Sequence, residues 1–130
     1  MNVVDASVLV PALANDEAEG DRARSLISNR LLVAPELIDV EVVSALRRLV
    51  RTGAVSVTRA HEALRDLPLS PIARAPHAPL VQRMWELREN VSAYDASYVA
   101  LAEAMDAALI TSDRRLASAP GLRCDFELIA

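Results

Sequence analysis

Residues 1–10 read MNVVDASVLV: a short apolar run, a carboxylate, and then a stretch with helical spacing. A charge at the end of an apolar run costs free energy unless it caps, pairs with or binds something, so Asp5 requires a partner from elsewhere in the chain. Asn2 to Val4 is a strand candidate and Ser7 to Ala14 reads as a helix, which places the acid where one gives way to the other. The same order returns near the far end. In ALITSDRRLA, residues 108–117, a strand from Ala108 to Thr111 leads to Asp113 and then to a short helix from Arg114 to Ala117.

Strands and helices alternate between these two ends. Glu17 to Ser28 is a polar amphipathic helix and Leu31 to Ala34 a second strand. Pro35 is expected to start a long helix, because proline suits a first turn and the following apolar positions recur at helical spacing up to Gly53. Ser56 or Thr58 opens another helix through Leu67, Leu69 to Arg74 reads as a strand, and Pro76 to Glu89 as a helix bearing Trp85. Ser92 to Met105 is a further helix and Arg123 to Ile129 a last strand. Such alternation implies an α/β fold, with parallel strands joined by helical crossovers and a sheet covered on both faces. Sites in such sheets gather at the carboxyl ends of the strands, so Asp5 and Asp113 should face the same edge.

Composition bounds the function. With 130 residues, 52% of them hydrophobic, the chain is the size of one ordinary domain spanning residues 1–130. No apolar stretch approaches the roughly 20 residues of a membrane span, and the first basic residue is Arg22, which does not fit a signal peptide. A soluble, cytoplasmic protein is expected. Cys124 stands alone and can build neither an internal disulfide nor a cysteine metal knuckle. The net charge of -4 argues against a broad basic face for nucleic acid. All 14 basic residues are arginines, which removes every mechanism that needs a lysine ammonium. An aromatic content of 3% argues against the stacking platforms of sequence-reading RNA modules.

Two more acids join the first pair. Asp95 lies in the first turn of SAYDASYVALAEAM, residues 92–105, a helix whose side chains are apolar or small on most sides and which is therefore largely buried. Glu41 lies in PELIDVEVVSALRRLVRTG, residues 35–53, at the margin of an apolar arc formed by Ile38, Val42, Ala45, Leu46 and Leu49. Each acid has an ordinary structural role open to it. Asp5 and Asp113 suit helix N-caps, Asp95 completes a capping box with Ser92, and Glu41 can pair with Arg48 on a solvated face. As a set they are different, because four acids near one edge repel one another strongly unless a divalent cation neutralises them. His61 and His77 fall outside the set and are expected at the surface.

The ordered set VVDASVLV, the helix with Glu41 followed by SALRR, YDASYVALA and LITSDRRLA resembles the PIN-domain family, and within it the VapC-type toxins of toxin-antitoxin pairs. The resemblance runs along essentially the whole chain. It implies a PIN-like three-layer α/β/α fold with a central parallel sheet of four to five short strands. It also implies an acidic site of Asp5, Glu41, Asp95 and Asp113, with neighbouring hydroxyls from Ser7 and from Thr111 or Ser112. Ser44 stands where many relatives carry asparagine. The implied activity is endoribonucleolytic hydrolysis of single-stranded RNA, and the implied partners are a cognate VapB-like antitoxin and a second copy of the chain in a homodimer.

Hard oxygen ligands without His or Cys suit Mg²⁺ or Mn²⁺, and cations so held support phosphodiester hydrolysis. Asp5 and Asp95 are expected to be the main metal ligands, Asp113 to complete the site, and Glu41 to bind a second ion or orient the water. Arg47, Arg48 and Arg51 share a helix sector bordering Glu41, while Arg114 and Arg115 follow Asp113. Arg48 and Arg114 are the candidate RNA contacts, through bidentate grip on phosphate. Two competing readings are a receiver-type signalling domain, which characteristically needs a pocket lysine that this chain lacks, and a catalytically weak PIN-like binding module.

Overall fold

A computed structural model describes residues 1–129. Its strands are β1 (Asn2–Val4), β2 (Leu32–Pro35), β3 (Ile72–Ala75), β4 (Ala108–Thr111) and β5 (Phe126–Leu128). Its helices are α1 (Ala6–Ala14), α2 (Ala18–Ile27), α3 (Leu37–Arg51), α4 (Val57–Asp66), α5 (Val81–Glu86), α6 (Ala93–Ala104) and α7 (Arg114–Ala117). The strands form one parallel sheet in the order β3-β2-β1-β4-β5. Val3, Val4 and all of β2 are buried, the near-continuous apolar reading of strands covered on both faces.

The chain moves outward from β1 to β3 and then crosses back to β4 and β5. Right-handed crossovers running in opposite directions place their helices on opposite faces of the sheet. In keeping with this, α1 packs on α2, α3 and α4, whereas α6 packs on α5 and against β1, β2 and β4. The direction of travel reverses at the β1/β4 boundary, and a ligand crevice forms beyond the carboxyl ends of strands at such a switch point. Val4 is in register with Ile110, and the Asp5 N–H donates to the Ile110 carbonyl at 3.0 Å. Asp5 therefore leaves the sheet beside Thr111.

Two helices frame the crevice. Ala96 through Ala102 of α6 are all buried, so this helix lies inside the molecule and its first turn is held at the sheet edge. In α3, Ile38, Val42 and Leu46 are buried at four-residue spacing, which leaves Glu41 and Ser44 on the flank next to α1. Helix α3 ends in a Schellman motif. Gly53 adopts φ +78°, its N–H donates to Val50 O at 3.1 Å, and the Ala54 N–H donates to Leu49 O at 2.9 Å.

Several expected boundaries move. Pro35 does not start α3; it is the buried last residue of β2, in register with Ala75. The helix starts two residues later, and the orphan N–H of Leu37 donates to His77 Nε2 at 3.0 Å. His77 is accordingly half-buried and structural, not a surface residue, whereas His61 is exposed as expected. Pro68 lies in a short 3-10 turn over Leu67–Leu69 and Pro71 follows it, which delays β3 to Ile72. Pro79 holds Ala78–Leu80 in another 3-10 turn, so α5 keeps only Val81–Glu86 of the longer helix expected. Among the described residues no helix is long and apolar enough to cross a membrane.

Candidate active site

Asp5 stands in the N-cap position of α1 but its side chain caps nothing. Instead Oδ2 accepts hydrogen bonds from Ser7 Oγ at 2.9 Å and from Thr111 Oγ1 at 2.8 Å. A hydroxyl carries one proton, and both are committed to Asp5. The 3.3 Å approach of Ser7 Oγ to Thr111 Oγ1 is therefore a contact and not a third bond. Each hydroxyl oxygen is held in turn by backbone: Ser112 N–H donates to Ser7 Oγ and Asp113 N–H to Thr111 Oγ1, both at 3.1 Å. Ser112 thus joins through its amide and not its hydroxyl. This clamp locks the ends of β1 and β4 together around one carboxylate oxygen and leaves Oδ1 to the crevice.

Asp113 does cap its helix, its Oδ1 accepting from the N–H groups of Arg115 at 2.9 Å and Leu116 at 3.2 Å. At the start of α6, Ser92 Oγ accepts the Asp95 N–H at 3.1 Å, which fixes the turn and presents the Asp95 carboxyl at the sheet edge. Glu41 reaches the same edge from α3, and Oε1 takes a hydrogen bond from the Tyr98 hydroxyl at 2.5 Å. Tyr98 is fully buried. Burial and the Glu41 carboxylate push its hydroxyl far above the ordinary phenol range, so it remains a donor at every physiological pH.

The electrostatics show how close the acids lie. Glu41 is raised above the usual carboxylate range, first by burial and then by repulsion from Asp5 and Asp95, although the Tyr98 bond opposes this. Asp95 is raised by burial and by repulsion from Asp5 and Asp113. Asp5 is the common neighbour. Two depressions share the acids, one of 390 Å³ lined by Asp5, Ser7, Glu41, Ser44 and Arg48 among others, and one of 530 Å³ lined by Asp95, Asp113, Arg88 and Arg115 among others. Arg48 falls beside the acids as expected; on the α7 side Arg115 lines the depression and Arg114 does not.

No ion pair among the described residues uses any of the four acids, and none uses Arg48 or Arg115. Several other arginines are paired, as Arg30 is with Glu127 at 2.6 Å and Arg83 with Glu103 at 2.7 Å. A carboxylate 8% exposed with only neutral donors, ringed by further unpaired carboxylates, is an expensive arrangement that a divalent cation relieves. The donor set is all oxygen, which suits Mg²⁺ or Mn²⁺. Among the described residues no three His, Cys, Asp or Glu side chains meet at one point; the acids divide between the two depressions, Asp5 with Glu41 in one and Asp95 with Asp113 in the other. Thiol chemistry has no place here, since burial pushes the Cys124 thiol up to about 11.

The model of the PIN domain matches residues 3–122. The chain belongs to the PIN-domain family. This PIN-domain protein is 47% identical over 128 residues to Ribonuclease VapC1 of Mycobacterium tuberculosis, a match covering 98% of this chain and 96% of the relative. Among solved structures it is similar to a Pyrobaculum aerophilum protein, with a TM-score of 0.71 and 27% identity over 96% of this chain and 81% of that one. VapBC2 from Rickettsia felis, bound to a DNA fragment from its promoter, superposes with a TM-score of 0.66 at 15% identity, over 96% of this chain and 97% of the other. That last likeness shows the shared fold. Two features of the PIN-domain site escape a reading of the sequence: Tyr98, which looks like one more core residue of α6, and Arg115, whose inward turn depends on the pitch of α7.

Proposed function

We propose that this chain is a Mg²⁺- or Mn²⁺-dependent endoribonuclease, the cytoplasmic toxin of a VapBC-type pair, acting on single-stranded RNA from a single domain and neutralised by a VapB-like antitoxin. The observation that carries the reading is the edge of four carboxylates left without a cationic partner, beside arginines that are also unpaired. The names of Ribonuclease VapC1 and of the VapBC2 assembly support the RNA substrate and the antitoxin. Assembly as a homodimer is part of the same proposal.

Asp5 and Asp95 would be the main ligands of the ion and Asp113 would complete the set, with Glu41 at its flank; the three carboxylates do not converge on one point by themselves, so the ion would have to draw them together. The chemistry that Mg²⁺ or Mn²⁺ would supply there is polarisation of a phosphodiester and acidification of water. The clamp from Ser7 and Thr111 fixes the Asp5 carboxylate before substrate arrives, so little reorganisation is needed during reaction. Glu41 has one oxygen taken by Tyr98 and the other free, and its raised affinity for a proton makes Oε2 the acceptor for a proton from the attacking water. Arg48 and Arg115 face opposite depressions and grip the phosphates on either side of the cut.

The test is cleavage of a mixed single-stranded RNA pool by the purified protein, with Mg²⁺ or Mn²⁺ against EDTA, beside Asp5→Ala and Asp95→Asn variants. Metal-dependent cutting that both variants lose is the expected result. Cutting that survives in Asp5→Ala overturns the site assignment, and a protein that binds RNA or antitoxin without cutting is a binding module of the same fold.

A further inference from the structure

The sequence holds four aromatic residues, and their placement matters more than their number. Tyr98 is buried and Phe126 packs against the core, but Trp85 and Tyr94 are 67% and 62% exposed. Tyr94 precedes Asp95 in the first turn of α6, and Trp85 is joined to the neighbouring depression by Arg88. The Arg88 guanidinium lies 4.5 Å from the centre of the Trp85 ring, and its Nη1 donates to the Trp85 carbonyl at 3.0 Å. Arg88 also lines the depression that holds Asp95, Asp113 and Arg115.

We infer that Trp85 and Arg88 form a stacking platform for an unpaired nucleobase of RNA, next to the Asp95 and Asp113 end of the site. The inference rests on the ribonuclease reading and adds the subsite that reading lacks. An acidic edge on a chain of net charge -4 repels the phosphates it must cut. Stacking on an indole face or an arginine plane supplies affinity without adding to that repulsion, and it tolerates any base because each has a π-face. A guanidinium already laid on the indole extends a flat, polarisable surface toward the acids, where the cut strand must pass. The low aromatic content therefore does not exclude stacking: one platform, placed at the site, is enough to hold a flanking base.

Val81, one turn earlier on α5, is also exposed and would share a protein contact with Trp85. The base platform is favoured over that contact because the ring is tied, through Arg88, to an arginine-bearing depression.

Trp85 is the single tryptophan of the chain, so fluorescence excited at a wavelength that tyrosine does not absorb reports on this platform alone. The experiment titrates the wild-type protein in EDTA with a single-stranded oligoadenylate of about twelve nucleotides and with an abasic oligomer of equal phosphate number. Oligoadenylate is expected to quench the tryptophan, and the abasic oligomer to leave it unchanged. By anisotropy of labelled oligoadenylate, Trp85→Leu should bind about 5- to 100-fold more weakly, Trp85→Phe should recover most of the loss, and Val81→Ser should bind like wild type. Oligoadenylate binding with unaltered fluorescence, or a Trp85→Leu protein that binds like wild type, overturns the platform; Mg²⁺-dependent cutting that persists then leaves the ribonuclease reading standing. A protein that neither binds oligoadenylate nor cuts RNA with Mg²⁺ refutes both. An emission maximum that shifts with protein concentration, a dependence absent in Val81→Ser, reassigns Trp85 to a protein contact and overturns the inference.

Discussion

Asp5 is the one buried member of the four acids, and every donor on it is neutral. Its charge is felt by Glu41 and Asp95, both raised above the usual carboxylate range. A carboxyl raised in this way binds its proton more tightly folded than unfolded. Its stabilising contribution is whole at low pH and is lost as the pH climbs from ordinary carboxylate values through the raised ones, after which the charge weighs against the fold. Asp95→Asn should therefore melt higher than wild type in EDTA at neutral pH, by roughly 2 °C or more, while losing cleavage. The gap should narrow as the pH falls toward about 4; equal melting at neutral pH in thermal denaturation would show that the carboxylates do not repel. Tyr98→Phe tests the other side of the site. It removes one hydrogen bond from Glu41 while keeping the ring, so kcat is expected to drop roughly tenfold or more with KM nearly unchanged. A change confined to KM would place Tyr98 in substrate binding instead.

At the scale of elements, each helix boundary records a local contest. Gly53 has open space around it, so Gly53→Ala meets only the cost of a left-handed backbone, about 1 kcal/mol. Gly20 differs, because a Cβ there would lie 1.8 Å from the Asn15 carbonyl oxygen where α2 crosses the end of α1. Gly20→Ala should cost more than Gly53→Ala, on the order of 3 kcal/mol, and chemical denaturation of the two variants checks the ranking. The same contests explain what could be read beforehand. The strand, acid and helix order around Asp5 and Asp113 was legible because short parallel strands buried on both faces have no competing pattern. The start of α3 was not, since Pro35 satisfies a helix's first turn and a strand's last position equally well in isolation. Only the β3 pairing and the His77 imidazole, forty residues away, decide between them. Tyr98 was hidden for a similar reason: one polar atom on an otherwise buried residue acquires meaning only when α3 brings Glu41 to it.

For the whole molecule, the site is where the two halves of the sheet meet, and anything that neutralises it should tighten their junction. Mn²⁺ or Mg²⁺ at about a hundredfold excess over its dissociation constant is expected to add about 2.7 kcal/mol to stability. The gain should appear in wild type and shrink in Asp5→Ala; calorimetry with and without the ion reads both. The clamp on Asp5 has a consequence for synthesis as well. Its two hydroxyl donors come from residues two and 106 positions away, so the carboxylate and Ser7 are made well before the Thr111 that completes the clamp. A chain synthesised only through α5 holds Asp5 and Glu41, but neither Asp95 nor β4 with its Thr111 and the Asp113 that follows it. On the ribonuclease reading, this would keep the nascent polypeptide harmless to the machine translating it, and would make early termination of its own message a silent event.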